Sequence, residues 1–269
     1  MDTQKLLASF GCMSETKERL RRSLTVERYP RSAAYDPQWV VDNLMGPHPL
    51  WWAEALVQVM PLQPGMRVLD LGCGTALTSI FLAREFDVEV WATDPWVKPT
   101  ENWERIQAAG LAEQVHPISA DARALPFADG FFDAIVSIDA YHYFGTDARY
   151  LAYCAEFLRP GGSLGMVVPG LRHDPGPILP SYLADRWGPD MCTWLSPTWW
   201  RHHWERTGLV TVQIADMVPG GWEDWLRWLE ACNLVGRGFE PDETMLRADG
   251  GELLGFTRVV AHRMNGADC

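Results

Sequence analysis

Val68-Leu69-Asp70-Leu71-Gly72-Cys73-Gly74-Thr75-Ala76 runs from an apolar, strand-length segment into a glycine turn, and helical spacing follows it. Gly72 and Gly74 let the backbone turn with positive φ and let a ligand approach closely. A dinucleotide fingerprint needs a third glycine five residues after the first, and Leu77 stands there. A phosphate-cradling Walker loop fails as well, because no Gly-Lys-Ser/Thr follows. Asp70 sets a carboxylate beside the turn. That favours a cationic ligand over a pyrophosphate, and one carrying an ammonium and a sulfonium fits.

Outward from this turn, apolar β-forming runs recur at 67–71, 89–93, 115–120, 132–138 and 163–168. Helical segments near 75–86, 97–109 and 146–158 separate them, the pattern of a parallel sheet covered on both faces. Arg159-Pro160-Gly161-Gly162 reads as a tight turn into the fifth run. Further strands are expected at 209–218 and 252–263, with a helix near 221–235 carrying Trp222, Trp225, Leu226 and Leu229 on one stripe. Polar groups gather at one end of the strands: Asp94 and Trp96, Asp121 and Ala122, Ile138 to Tyr143, and His173 beyond the fifth. In an open α/β sheet, ligands bind beyond those carboxyl ends. A carboxylate at Asp94 can accept from both hydroxyls of a ribose. Trp96 has two open readings, an adenine face or helix–sheet packing. Asp121 can accept from an adenine amino group, with the Ala122 N–H facing a ring nitrogen.

Taken together, VLDLGCGTA, the acid ending the second strand, ADARALPFADGFFDAIVSIDAYHYF and LRPGG resemble the class I S-adenosylmethionine-dependent methyltransferases over residues 60–170. The resemblance implies a Rossmann-like, seven-stranded, mostly parallel α/β sheet with helices on both faces. It also implies a reversed last strand beside the fifth. It maps the amino-acid part of S-adenosyl-L-methionine to Asp70, Gly72, Cys73 and Gly74, and the methionine side to Ile138 and Asp139. The ribose falls to Asp94 and the adenine to Asp121 and Ala122. Ala76 departs from the family, which often has glycine there. The remaining organisation reads as a helical N-terminal cap over 1–64 and a core over 65–269. Trp-rich insertions are expected at about 171–208 and 219–251, the second lying before the last strand. The cap itself reads as a basic helical stretch at 15–31, then two short helices in 38–60 split at Gly46–Pro49.

Methyl transfer needs alignment of nucleophile, methyl and sulfur, and sometimes a base. His142 is expected as that base or as a substrate anchor, with a loop hydrogen bond as the plain alternative. His173, Tyr29, Tyr141, Trp199 and Trp200 are expected to contact an acceptor. Of the 14 Trp, seven lie within 191–228, where a substrate wall, a homodimer contact or cap core are all open readings. His202 and His203 are neighbours on a helix, face different ways and cannot pair as metal ligands. No metal site is expected.

The 269 residues carry a net charge of −12, which opposes nucleic acid and anionic membranes. No apolar run approaches the ~18–20 residues of a membrane span. The N-terminal 22 residues lack a secretory pattern. Six scattered cysteines without CxxC or His spacing suggest a reducing, cytoplasmic setting, with Cys12, Cys154, Cys192, Cys232 and Cys269 as small buried hydrophobes. The expected activity is methylation of an O, N or C atom of a small aromatic or apolar metabolite, as in natural-product tailoring. An NAD-type oxidoreductase and a non-catalytic S-adenosylmethionine-binding regulator are the competing readings.

Overall fold

A computed structural model of the chain describes residues 15–184 and 186–265; Cys12 and Cys269 lie outside them. Seven strands form one sheet in the order β3-β2-β1-β4-β5-β7-β6. β1 (Arg67–Leu71), β2 (Glu89–Asp94), β3 (Val115–Ser119), β4 (Phe132–Ile138) and β5 (Leu158–Leu171) run parallel, while β7 (Leu254–Arg263) is antiparallel to β5 and to β6 (Val210–Met217). Pairing on β5 begins at Leu158, earlier than the turn residues suggested, because the strand absorbs them through a register shift opposite Phe132 and Ala134.

Strand alternation builds two cores. Val68, Val136 and Val260 point into one, with Trp51 and Trp52 of α3 (Pro49–Val57), Ile80 and Phe81 of α4 (Leu77–Phe86), and Trp225 and Trp228 of α9 (Gly221–Asn233). Their sequence neighbours Leu69, Ile135, Val259 and Ala261 face the other. That core also holds Tyr141, Tyr150 and Leu151 of α6 (Tyr150–Glu156), and Trp200 and Trp204 of α8 (Pro197–Glu205). Period-2 burial on both faces is what near-continuous apolar runs dictate in a parallel sheet.

The chain enters through α1 (15–24) and α2 (Pro37–Asp42), and α5 (Pro99–Ala108) packs on β3. Asp36 caps α2 by accepting the Gln38 N–H, and Pro37 occupies its first turn. The connection between β6 and β7 holds α9 and also α10 (Glu240–Asp249), a helix the sequence pattern did not single out. α9 reaches back to the N-terminal segment. Arg28 donates to buried Asp224 at 2.7 Å, and the Trp228 indole N–H donates to the Gly46 carbonyl at 3.1 Å. The expected apolar stripe is rotated slightly: Trp225, Trp228 and Leu229 are buried, and Trp222 and Leu226 are only partly so. Cys154 and Cys232 are buried as expected, but Cys192 is exposed, since its short 3-10 turn lies at the surface. No helix among the described residues is long and apolar enough to cross a membrane.

Candidate functional site

β1 has β2 on one side and β4 on the other, so the chain reverses its direction of winding there. A crevice opens at the carboxyl ends of such strands. The pocket found at this point is lined by the glycine turn, by Thr93 to Trp96 after β2, by Ala120 to Arg123 after β3, and by Ile138 to Ala140 after β4. Tyr143 and Phe144 continue that wall, and Asn43, Met45, Gly46, Pro47 and Pro49 of the α2–α3 loop close the roof.

Gly72 has φ +78°, and a Cβ there would lie 2.4 Å from the Ala140 Cβ. Only glycine gives both that turn and that approach. Gly72 and Cys73 donate their N–H groups to the Thr93 carbonyl at 2.9 Å, which pins the turn to β2. Ala76 is left-handed at φ 61°, which explains why glycine is usual at this place in the resembling family.

Asp94 is 5% exposed and half engaged. Its Oδ1 accepts the N–H groups of Trp96 and Val97, and its Oδ2 accepts that of Gly74 at 3.0 Å. Each oxygen has two lone pairs, so Oδ2 keeps acceptor capacity toward the pocket. Asp121 accepts the Arg123 N–H at 2.8 Å and stands 3.8 Å from its guanidinium. Cys73 and Ile138 line the pocket, and burial pushes the Cys73 thiol well above its ordinary range. Asp139 takes a left-handed φ of 54°, which Asp tolerates better than most residues. It is half-buried, and desolvation pushes its carboxyl up to about 7.

Several expectations are corrected. Asp70 does not line the pocket. It lies beneath the turn, where its Oδ2 accepts from the Ser79 hydroxyl at 2.6 Å. Burial pushes it up to about 7, against that hydrogen bond and with help from nearby Asp94. Trp96 is 72% exposed at the mouth, edge-on to Tyr143 at 6.1 Å, so helix–sheet packing is not its role. His142 is 1% exposed and is not on the pocket wall. Its Nδ1 has no partner among the described residues, and burial pushes the imidazole down to about 3. A histidine so shielded is a weak base out of reach of an acceptor in this pocket.

The five expected acceptor contacts lie elsewhere. Tyr29 is buried against Trp51 and Trp52. Tyr141 and Trp200 sit 5.9 Å apart in the core beneath α8. Trp199 is at the surface, stacked on His203, and His173 is exposed with Nδ1 facing the Asp174 carbonyl. Large aromatic rings gain most where they bury most area, and here that is the core. The roof residues Met45, Gly46 and Pro47, with Phe144, were missed, and Tyr143 was placed at a strand end without a role. The one signal for the roof was the Gly46–Pro49 break between two helices.

The family described as "Methyltransferase domain" matches residues 68–162. Demethylmenaquinone methyltransferase of Mycolicibacterium vanbaalenii is 32% identical over 114 residues, which is 42% of this chain and 46% of that protein. The 27-O-demethylrifamycin SV methyltransferase of Amycolatopsis mediterranei is also 32% identical over 114 residues, 42% of each chain. The chain thus spans about half the length of the curated relatives it matches. A structure described as a sarcosine dimethylglycine methyltransferase from Galdieria sulphuraria superposes with a TM-score of 0.61 at 21% identity, over 80% of this chain and 83% of that one. Fold, glycine turn and family match agree on one region: residues 68–162 are similar to a methyltransferase domain and lie on the sheet that carries the pocket.

Proposed function

We propose that this protein transfers the methyl group of S-adenosyl-L-methionine to a small, apolar metabolite, in a biosynthetic tailoring role. The carrying observation is one pocket in which the glycine turn, Asp94, Ala122 and Ile138 converge under a roof from the N-terminal cap. The residues fit that cofactor: Gly72, Cys73 and Gly74 present backbone rather than bulky side chains to the pocket, and the nearby carboxylates match a ligand of positive charge. The bound group supplies a methyl already activated on a sulfonium. Backbone groups of Gly72, Cys73 and Gly74 would hold its amino-acid end, bordered by Ile138 and the Asp139 backbone. Asp94 would accept from the ribose hydroxyls, and Asp121 with the Ala122 N–H would read the adenine edge. Trp96 would lie over the adenine. The roof loop would exclude water and align the acceptor, which can supply several kcal/mol, up to roughly 7–11 in ideal cases. A cytoplasmic setting suits the four described thiols, all unbridged. The −12 charge supports a small-molecule acceptor over nucleic acid; a homodimer is compatible with this reading.

Calorimetry with S-adenosylhomocysteine tests it. Wild-type protein should bind, and Asp94→Ala should weaken binding about tenfold or more, since a hydrogen bond to a charged group contributes roughly 1.5–3 kcal/mol. Unchanged affinity in the variant would remove Asp94 from the site.

A further inference from the structure

Four charged side chains line the pocket: Asp94, Asp121, Arg123 and Asp139. Three are engaged. Asp94 is held by three backbone N–H groups, and Asp121 and Arg123 pair with one another. Arg123 also donates to the Tyr143 carbonyl at 3.3 Å. The Asp139 carboxylate accepts no hydrogen bond among the described residues. A half-buried carboxylate without a donor is costly when ionised, and a donor on a bound molecule would offset that cost.

A Cβ on Gly46 would fall 2.2 Å from the Asp139 Oδ2, so the carboxylate sits directly against the roof loop. The glycine turn packs on the Ala140 methyl, and the roof loop reaches that turn too, through Met45 beside Gly74 and the Asn43 carbonyl on Thr75. Asp139 therefore faces the roof loop, on the wall where an acceptor entering under the cap would meet it. Met45, Pro47, Tyr143 and Phe144 give the same pocket an apolar wall. An anionic acceptor would meet Asp139 with no unpaired cation among the described pocket-lining residues to offset it.

We infer that Asp139 selects the acceptor: it holds a protonated amine on an apolar body and takes its proton, so that methylation falls on nitrogen. This rests on the methyltransferase reading above. In the step, one N–H proton of the ammonium passes to the Asp139 carboxylate. The freed lone pair forms the N–C bond as the C–S bond breaks, and that electron pair stays on sulfur. The product leaves as an ammonium, and Asp139 returns its proton to water. A carboxyl raised toward neutrality by burial can hold that proton.

The test is calorimetry on protein loaded with S-adenosylhomocysteine, using phenethylamine, phenethyl alcohol and phenylacetate as probes. The amine should bind about tenfold or more tightly than the other two, and Asp139→Asn should erase that preference. Asparagine also tolerates left-handed backbone, so the variant should fold, and its S-adenosylhomocysteine affinity should stay within about threefold of wild type. Equal binding of the three probes overturns the inference, as does a tenfold loss of S-adenosylhomocysteine affinity in the variant, which would assign Asp139 to the cofactor's ammonium. Wild-type protein that binds no S-adenosylhomocysteine would overturn the methyltransferase reading itself.

Discussion

Gly72 concentrates what one residue can decide here. Its φ of +78° and the Ala140 methyl at 2.4 Å from any Cβ are two separate demands. Gly72→Ala should therefore cost about 1–3 kcal/mol of stability in urea denaturation and abolish measurable S-adenosylhomocysteine binding. A variant that kept both would show that the turn does not form the site. Gly72, Asp94, Ala122 and Ile138 were legible because strand ends can be counted along the chain and ligands gather there. Asp139 was legible as a position but not as a free carboxylate, since its donors, or their absence, depend on what folds over it. His142 was misread for the same reason. It directly follows the pocket-lining segment, yet the short 3-10 turn at Tyr141–Tyr143 sends it inward while Tyr143 stays at the mouth.

At the scale of elements, β1, β2 and β4 followed their apolar runs closely, and α4, α5 and α9 fell within a few residues of their expected spans. Long apolar runs have few alternatives to a buried strand. α10 escaped notice because its 10 residues are mostly charged and polar, with only Met245 and Leu246 among its buried apolar positions. The Trp-rich α8 was open to several readings, and packing separates its members. Trp200 and Trp204 are fully buried, whereas Trp199 is 36% exposed. Trp200→Ala should cost about 3–5 kcal/mol and Trp199→Ala under about 1 kcal/mol, measured by chemical denaturation. Similar losses at both positions would contradict this division of α8 into a buried and an exposed face.

Across the whole molecule, burial of ionisable groups sets an unusual pH balance. His48 and His142 are held down to about 3, so the folded state binds fewer protons than the unfolded chain below pH 6.5. Their burial lowers stability as pH falls from 6.5 toward 3. Asp70 and Asp139, raised from 3.8 to about 7, act oppositely: their contribution is full below 3.8 and is lost as pH rises to about 7. His203 is lowered and Asp224 and Asp242 are raised as well, so the two kinds oppose one another where their windows overlap. Removing one exposes the balance, so His142→Gln should gain on wild type as pH falls from 6.5, with a limiting slope of about 1.4 kcal/mol per pH unit. Parallel urea-stability curves would mean that His142 titrates normally. The sequence by itself determined the sheet, the place of the glycine turn and the acids at the strand ends, because these follow from local periodicity and from counting along one chain. Which side chains line the pocket, which acid stays without a donor, and which tryptophans are core were decided only by tertiary structure. Those properties depend on what the roof loop, α8 and α9 bring from well beyond their sequence neighbours, as in the Trp228–Gly46 bond across 182 residues.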